Sequence, residues 1–206
     1  MKFELMHELK KALIIFVRHP ELGKVKTRLA ASIGEEKALA IYLDLLQHTR
    51  TIALDVAADR FVFYADDIPE QDEWTSPFFT RRLQTGADLG NRMKKAFSDL
   101  LAQGYQQLVI IGSDCFELSA SIVEQAFDSL DEHEVVIGPA TDGGYYLLGM
   151  SKFYPALFDN KSWSTTTVFK DSVSDLLREN IPYKVLAKLT DVDTEEDWLS
   201  TRPAGL

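Results

Sequence analysis

Apolar residues along this chain follow two alternating patterns. Short continuous runs, such as Ala12-Leu13-Ile14-Ile15-Phe16-Val17 and Val109-Ile110-Ile111, are separated by longer stretches where apolar residues return at helical spacing. The runs predict strands over residues 12–17, 61–65, 107–111, 134–139, 145–150 and 183–186, with a short one at Phe78-Phe79. The helical spacing predicts a long helix over 35–56, carrying Leu39, Tyr42, Leu46, Ala53 and Val56. A second covers 88–102, with Leu89, Met93, Phe97 and Leu100 on one face, and others cover 166–179 and 195–199. Another helix starts at Ser119 or Ser121, and Ser121 with Glu124 fits a capping box.

Repeated strand–helix–strand passages predict an α/β fold with helices on both faces of a mostly parallel sheet. Asp142-Gly143-Gly144 reads as a turn, so the strand after it is expected to run antiparallel. The sheet is then mixed, in a three-layer α/β/α arrangement. The length of 206 residues suits one domain over 1–206.

Composition narrows the partners. The net charge of -10 argues against nucleic acid or an anionic membrane surface. No apolar run reaches the roughly 18 residues a spanning helix needs. The run after Lys10 and Lys11 is short and bounded by charge, a first strand rather than a signal peptide. The lone Cys115 fits a reducing, cytoplasmic setting. Against the acidic whole, Arg18, Lys24, Lys26 and Arg28 cluster with only Glu21 opposing. That local reversal of sign, at a strand end, points to an anionic ligand.

Several familiar sites are absent from the sequence. Gly23-Lys24 is not a P-loop, because Arg18 and Val25 stand where that motif needs Gly and Ser or Thr. No G-x-S-x-G elbow exists, so Ser113 is a poor nucleophile. His7, His19, His48 and His133 form no metal-ligand spacing. Cys115 is expected to be unreactive, because the Asp114 carboxylate beside it raises its pKa.

Four segments carry candidate chemistry. Lys24, Lys26 and Arg28 follow the first strand and precede a helix, where cationic heads and helix-start N–H groups cradle phosphate. Asp114 ends the buried run at Gly112-Ser113, and ligands of open α/β sheets bind just outside such ends. A carboxylate there can hold Mg²⁺ or Mn²⁺, hard cations that prefer oxygen. Asp191 and Asp193 lie upstream of an acidic helix start, and one of them could supply a second carboxylate. Gly143 and Gly144 permit either a tight turn or close approach of a ligand, with Asp142 orienting a hydroxyl.

Together these segments resemble the nucleotide-diphospho-sugar transferase superfamily of GT-A, Rossmann-like fold. They resemble more closely a bacterial branch of uncharacterised GT-A-like glycosyltransferases associated with radical-SAM and selenium-related domains. That branch is related to 2-phospho-lactate and molybdenum-cofactor guanylyltransferases. The matching pieces are Gly23–Leu29, Gln84–Met93, Ile111–Asp114, Gly138–Gly149, Trp163–Thr165 and Asp191–Thr194.

The resemblance implies that Lys24, Lys26, Thr27 and Arg28 hold the nucleotide phosphates, with Lys24 and Arg28 stabilising the leaving group. It places Gln84 and Gly86 at the base edge, in a segment continuing to Asp88. Asp114 becomes a metal ligand and Asp193 the second, with Asp191 its competitor. Asp142, Gly143, Gly144 and Tyr145 face the sugar or acceptor. Phe116 departs from the family, which often has Pro there. The activity implied is metal-dependent glycosyl transfer from a nucleotide sugar to a small acceptor of unknown identity. The alternatives are nucleotidylyl transfer from an NTP with pyrophosphate release, or nucleotide binding without turnover.

Overall fold

The computed structural model describes residues 9–202. The ends of the expected 1–206 domain, and His7 with them, lie outside the described residues.

Seven strands form one sheet in the order β3-β2-β1-β4-β6-β5-β7. They are β1 (Lys11–Val17), β2 (Asp59–Tyr64), β3 (Thr80–Leu83), β4 (Gln107–Ile111), β5 (Val135–Pro139), β6 (Tyr145–Met150) and β7 (Tyr183–Val185). β6 runs antiparallel to both β4 and β5, while the other pairings are parallel. The expected fold class and the reversed strand are therefore those observed.

The apolar runs are continuous because inner parallel strands are covered on both faces. Leu13, Ile15, Val17, Val62, Val109 and Ile111 point to one face. There they meet Tyr42, Leu46, Ile52 and Ala53 of α2 (Glu35–Asp55) and Val123, Ala126 and Phe127 of α4 (Ala120–Ser129). Ala12, Ile14, Phe61, Phe63, Leu108 and Ile110 point to the other. That side is closed by Met93, Ala96, Phe97 and Leu100 of α3 (Leu89–Ala102) and Leu176 of α5 (Val168–Arg178). Leu13, Ile14 and Ile15 are fully buried. Each contributes roughly 1.5–3 kcal/mol.

A third, smaller cluster lies beyond the strand ends. It joins Leu29 of α1 (Thr27–Ile33), Ala38, Ile41 and Leu45 of α2, Phe116 and Val192. Trp198 of α6 (Glu195–Thr201) packs against it. α6 starts in a capping box, Thr194 with Asp197.

Three local expectations are corrected. Phe78-Phe79 is a turn, and the strand is the next four residues, Thr80-Arg81-Arg82-Leu83. The aromatic pair serves packing instead: Phe79 is buried edge-on against Trp74, with ring centroids 5.1 Å apart. The cap of α4 is Ser119, whose hydroxyl accepts from Ile122 N at 3.4 Å. Glu124 closes no box with Ser121, because its carboxylate accepts from Ala57 N at 2.7 Å, across to the end of α2. The basic segment also contains a helix of its own, α1, which no sequence pattern announced. No helix among the described residues is long and apolar enough to cross a membrane.

Candidate active site

A cavity of about 850 Å³ opens at the carboxyl ends of β1 and β4. Its wall takes Arg18, Lys24, Lys26, Thr27 and Arg28 from the segment after β1. Gln84, Asp88, Leu89, Arg92 and Met93 form the side toward α3. Gly112 to Cys115, Tyr145, Ser164, Asp191 and Asp193 complete it. The basic loop, the strand-end carboxylate and the distant acidic pair therefore meet in one place. Gly86, Asp142, Gly143 and Gly144 do not line this cavity.

The centre of the cluster is an ammonium. Lys26 Nζ lies 2.5 Å from Asp114 Oδ1 and 3.5 Å from Asp193 Oδ1, and donates to Val192 O at 2.7 Å. Only 6% of the lysine side chain is exposed, against 43% for Asp114 and 38% for Asp193. Burial works to discharge Lys26, but the adjoining Asp114 carboxylate, then Asp193 and Asp191, hold its pKa above the ordinary lysine value. It is a cation. Lys26 has φ 48°, in the left-handed region, where it precedes the first turn of α1. Arg28 Nη1 reaches Asp193 Oδ2 at 3.2 Å from the exposed side. Lys24 pairs with Glu21 at 2.8 Å.

Asp191 is the inner acid. Burial first, then the charges of Asp114 and Asp142, raise its carboxyl to about 7. Cys115 is likewise pushed up to about 12, by burial first and by Asp191 next. The inert thiol was expected; its cause is burial and Asp191 rather than the neighbouring Asp114.

The donor set suits a hard divalent cation. Asp114 and Asp193 already turn oxygens toward one positive centre. No group of three or more His, Cys, Asp or Glu among the described residues could hold a metal alone. Mg²⁺ sites that handle nucleotides characteristically use one or two carboxylates and complete the shell with substrate phosphates and water.

Other expected site residues have visible structural duties. Gln84 Nε2 donates to Phe63 O at 2.9 Å, which ties its amide to β2. Asp88 caps α3, accepting from Asn91 N at 2.8 Å. Gly86 O accepts from Arg92 Nε at 3.3 Å. Asp142 Oδ1 accepts from Gly144 N at 2.8 Å, closing its own turn. Gly143 has φ 91°, and a Cβ there would stand 2.1 Å from Thr166 O. The space that glycine leaves is filled by the chain entering α5, not by open cavity.

The sequence reading missed Tyr42 and Arg92, while Tyr145 was among the residues expected to face the sugar or acceptor. Tyr42 looked like a core residue on a helix face. Its hydroxyl accepts from Arg18 N at 3.0 Å and donates to Arg18 O at 3.1 Å, fixing the end of β1. Arg92 sits one turn after the Asp88 cap, a spacing that could have revealed it. Tyr145 points inward from the start of β6, edge-on to Trp163 at 6.4 Å. Trp163 itself seats against Gly90, where a Cβ would fall 2.1 Å from Nε1. That notch brings Ser164 into the cavity wall.

Phe116 explains its own departure from the family pattern. It is buried between His48 and Trp198, with ring centroids 5.5 Å from each. It belongs to the cluster that also holds Val192, whose N–H donates to Asp114 O at 2.7 Å. The aromatic ring therefore packs the acidic C-terminal loop against the loop of Asp114.

A family described as "Uncharacterized protein conserved in bacteria (DUF2064)" matches residues 47–165. The structure aligns with a Desulfovibrio desulfuricans G20 protein carrying a provisional description as a nucleotide-diphospho-sugar transferase. The two share 32% identity and a TM-score of 0.88, over 96% of this chain and 90% of that one. The inositol-1-phosphate CTP transferase from T. maritima aligns at 14% identity and TM-score 0.54, over 92% of this chain and 91% of that one. Rv0371c from Mycobacterium tuberculosis H37Rv, solved in complex with manganese, aligns at 13% identity and TM-score 0.55, over 94% of this chain and 97% of that one. At such identities the last two share the fold alone. No curated protein matches the chain.

Proposed function

The chain belongs to the DUF2064 family, and from that premise we propose a divalent-metal-dependent transferase that moves a glycosyl group from a nucleoside diphosphate sugar to a small acceptor. The observation carrying this reading is the meeting of Asp114, Asp193, Lys26 and Arg28 in one cavity at the carboxyl ends of the central strands. Carboxylates and cations side by side suit a ligand that brings both a metal and phosphates. The provisional description of the Desulfovibrio protein supports the same class.

In this reading Asp114 and Asp193 hold Mg²⁺ or Mn²⁺, with Asp191 behind them. The cation supplies charge neutralisation at the phosphate oxygens of the departing nucleotide. Lys24, Lys26 and Arg28, with the Thr27 hydroxyl, bind the same phosphates and stabilise the charge that develops there. The segment of Gln84, Gly86 and Asp88 borders the base. Asp142, in the turn with Gly143 and Gly144 just before Tyr145 of the cavity wall, orients the acceptor hydroxyl. The bond from the sugar to the diphosphate breaks, the nucleoside diphosphate leaves, and the acceptor hydroxyl oxygen takes its place on the sugar, its proton passing to solvent.

A second reading has its own observation. Beside the main cavity lies another of about 410 Å³, lined by Arg18, His19 and Lys24 but also by Glu21, Asp66 and Asp67, and Arg18 and Lys24 border both. The four cations of the basic segment, Arg18, Lys24, Lys26 and Arg28, in the main cavity wall suit the greater charge of a triphosphate, and hence nucleotidylyl transfer from an NTP to a phosphorylated acceptor. Phosphorus NMR of the protein with Mg²⁺, a panel of nucleotide sugars or NTPs, and an acceptor pool separates the two. Release of nucleoside diphosphate supports glycosyl transfer. Pyrophosphate release without loss of sugar rejects it in favour of the second reading. No metal-dependent consumption of any donor rejects both.

A further inference from the structure

Two carboxylates and one backbone carbonyl converge on the Lys26 ammonium, at 2.5, 3.5 and 2.7 Å. This is the kind of oxygen environment in which a divalent cation also sits. The two acids remain 43% and 38% exposed to the cavity, while the lysine is withdrawn at 6%. A pairing made only for stability would shelter the acids as well. Asp191 lies in the same wall, and Arg28 reaches Asp193 from the exposed side at 3.2 Å, so Lys26 is the sheltered partner of the two acids. The lysine is held there from a left-handed backbone position, which a residue with a Cβ rarely adopts without compensating contacts.

We propose that the Lys26 ammonium and the divalent cation compete for one place between Asp114 and Asp193, so that metal loads only as Lys26 turns away to another anion. This rests on the transferase reading, which supplies both the metal and the phosphates that offer Lys26 its other partner. A doubly charged ion attracts each carboxylate twice as strongly as an ammonium at equal distance. It must first displace the lysine, and the lysine leaves readily only when a phosphate can receive it. Free protein therefore keeps its acids neutralised internally, and the donor brings the metal in. Lys26 is a positioning residue in this account, acting on the occupancy of the two acids.

Manganese alone, without nucleotide, tests this. Free Mn²⁺ is read by electron paramagnetic resonance during titration of the wild type, Lys26→Met and Lys26→Gln. The glutamine variant keeps a hydrogen-bond donor near Val192 O and guards against a fold-related failure of the methionine variant. Both variants are expected to bind Mn²⁺ at least tenfold more tightly than the wild type. Adding Asp114→Asn to either is expected to abolish that gain. The proposal is overturned if neither variant binds Mn²⁺ more tightly, or if the gain survives Asp114→Asn. Donor turnover is a separate measurement, so loss of the transferase reading and loss of this competition are told apart.

Discussion

Lys161 and Lys26 each bury an ammonium, with 2% and 6% of the side chain exposed, but in opposite surroundings. Lys161 pairs with Asp175, which is itself only 16% exposed and whose other oxygen takes Arg178 at 2.6 Å. Ala156 O adds a further acceptor at 3.3 Å. Both oxygens of Asp175 have a cation, and Arg178 also reaches Glu179 at 3.6 Å, so charges there are matched one for one. Around Lys26 and Arg28 stand three acids, Asp114, Asp191 and Asp193, and they face a cavity. The first arrangement is closed and finished. The second has negative charge and open space left over, which is what a ligand can use.

The largest expected effect comes from breaking the closed pair. Lys161→Met leaves Asp175 only the exposed Arg178 guanidinium as a partner and is expected to cost about 3 kcal/mol. Urea unfolding checks it, and a loss below about 1 kcal/mol would erase the contrast.

Next, Asp114→Asn is expected to change stability by less than about 1 kcal/mol, since it also relieves repulsion on Asp191. The same change is expected to weaken Mn²⁺-supported nucleotide binding by about a hundredfold, or ~2.7 kcal/mol. Calorimetric titration beside a thermal melt reads both quantities. An unaltered affinity would make the open cluster as structural as the closed one.

Phe116→Leu is expected to cost about 1 kcal/mol, seen as a fall in Tm of roughly 2–4 °C. Mn²⁺ affinity should fall with it, because the ring packs the loop of Val192 against Asp114. Loss of stability with full affinity would separate the aromatic cluster from the site.

The smallest effect is one of pH. Burial alone would raise the Asp175 carboxyl, but Lys161 and then Arg178 hold it below the ordinary value. An acid lowered on folding stabilises above its unfolded pKa, about 3.9 for Asp. That contribution is lost as pH falls through the lower folded value. Asp175→Asn should flatten this part of the acid unfolding curve, and an unchanged curve would discount the pair.

The central strands were legible because they are covered on both faces, so Ala12 to Val17 and Val109 to Ile111 read as unbroken apolar runs. β3 was not. As a short edge strand it is Thr80-Arg81-Arg82-Leu83, with none of its side chains fully buried, and the aromatic pair beside it drew the eye. At the site, Asp114 followed from the rule that ligands gather at strand ends. Its meeting with Lys26 and Asp193 did not follow from spacing, since Lys26 and Asp193 lie 167 positions apart. The Asp142 turn is ambiguous in the sequence for a physical reason. An Asp-Gly-Gly turn looks alike whether its glycine makes room for a ligand or, as at Gly143, for Thr166.

The hydrogen bond from Val192 to Asp114 has a temporal side. During synthesis Lys26 and Asp114 leave the ribosome well before Asp191, Val192 and Asp193. The sheet strands precede that segment too, β7 included. A nascent chain can therefore lay down its whole sheet while the acidic pocket still lacks one wall. On the proposed function, competence for metal and nucleotide arrives only with residues 191–193, after every strand of the sheet has been made. Proteolytic loss of that segment would leave the sheet's strands intact and the pocket without its second acid.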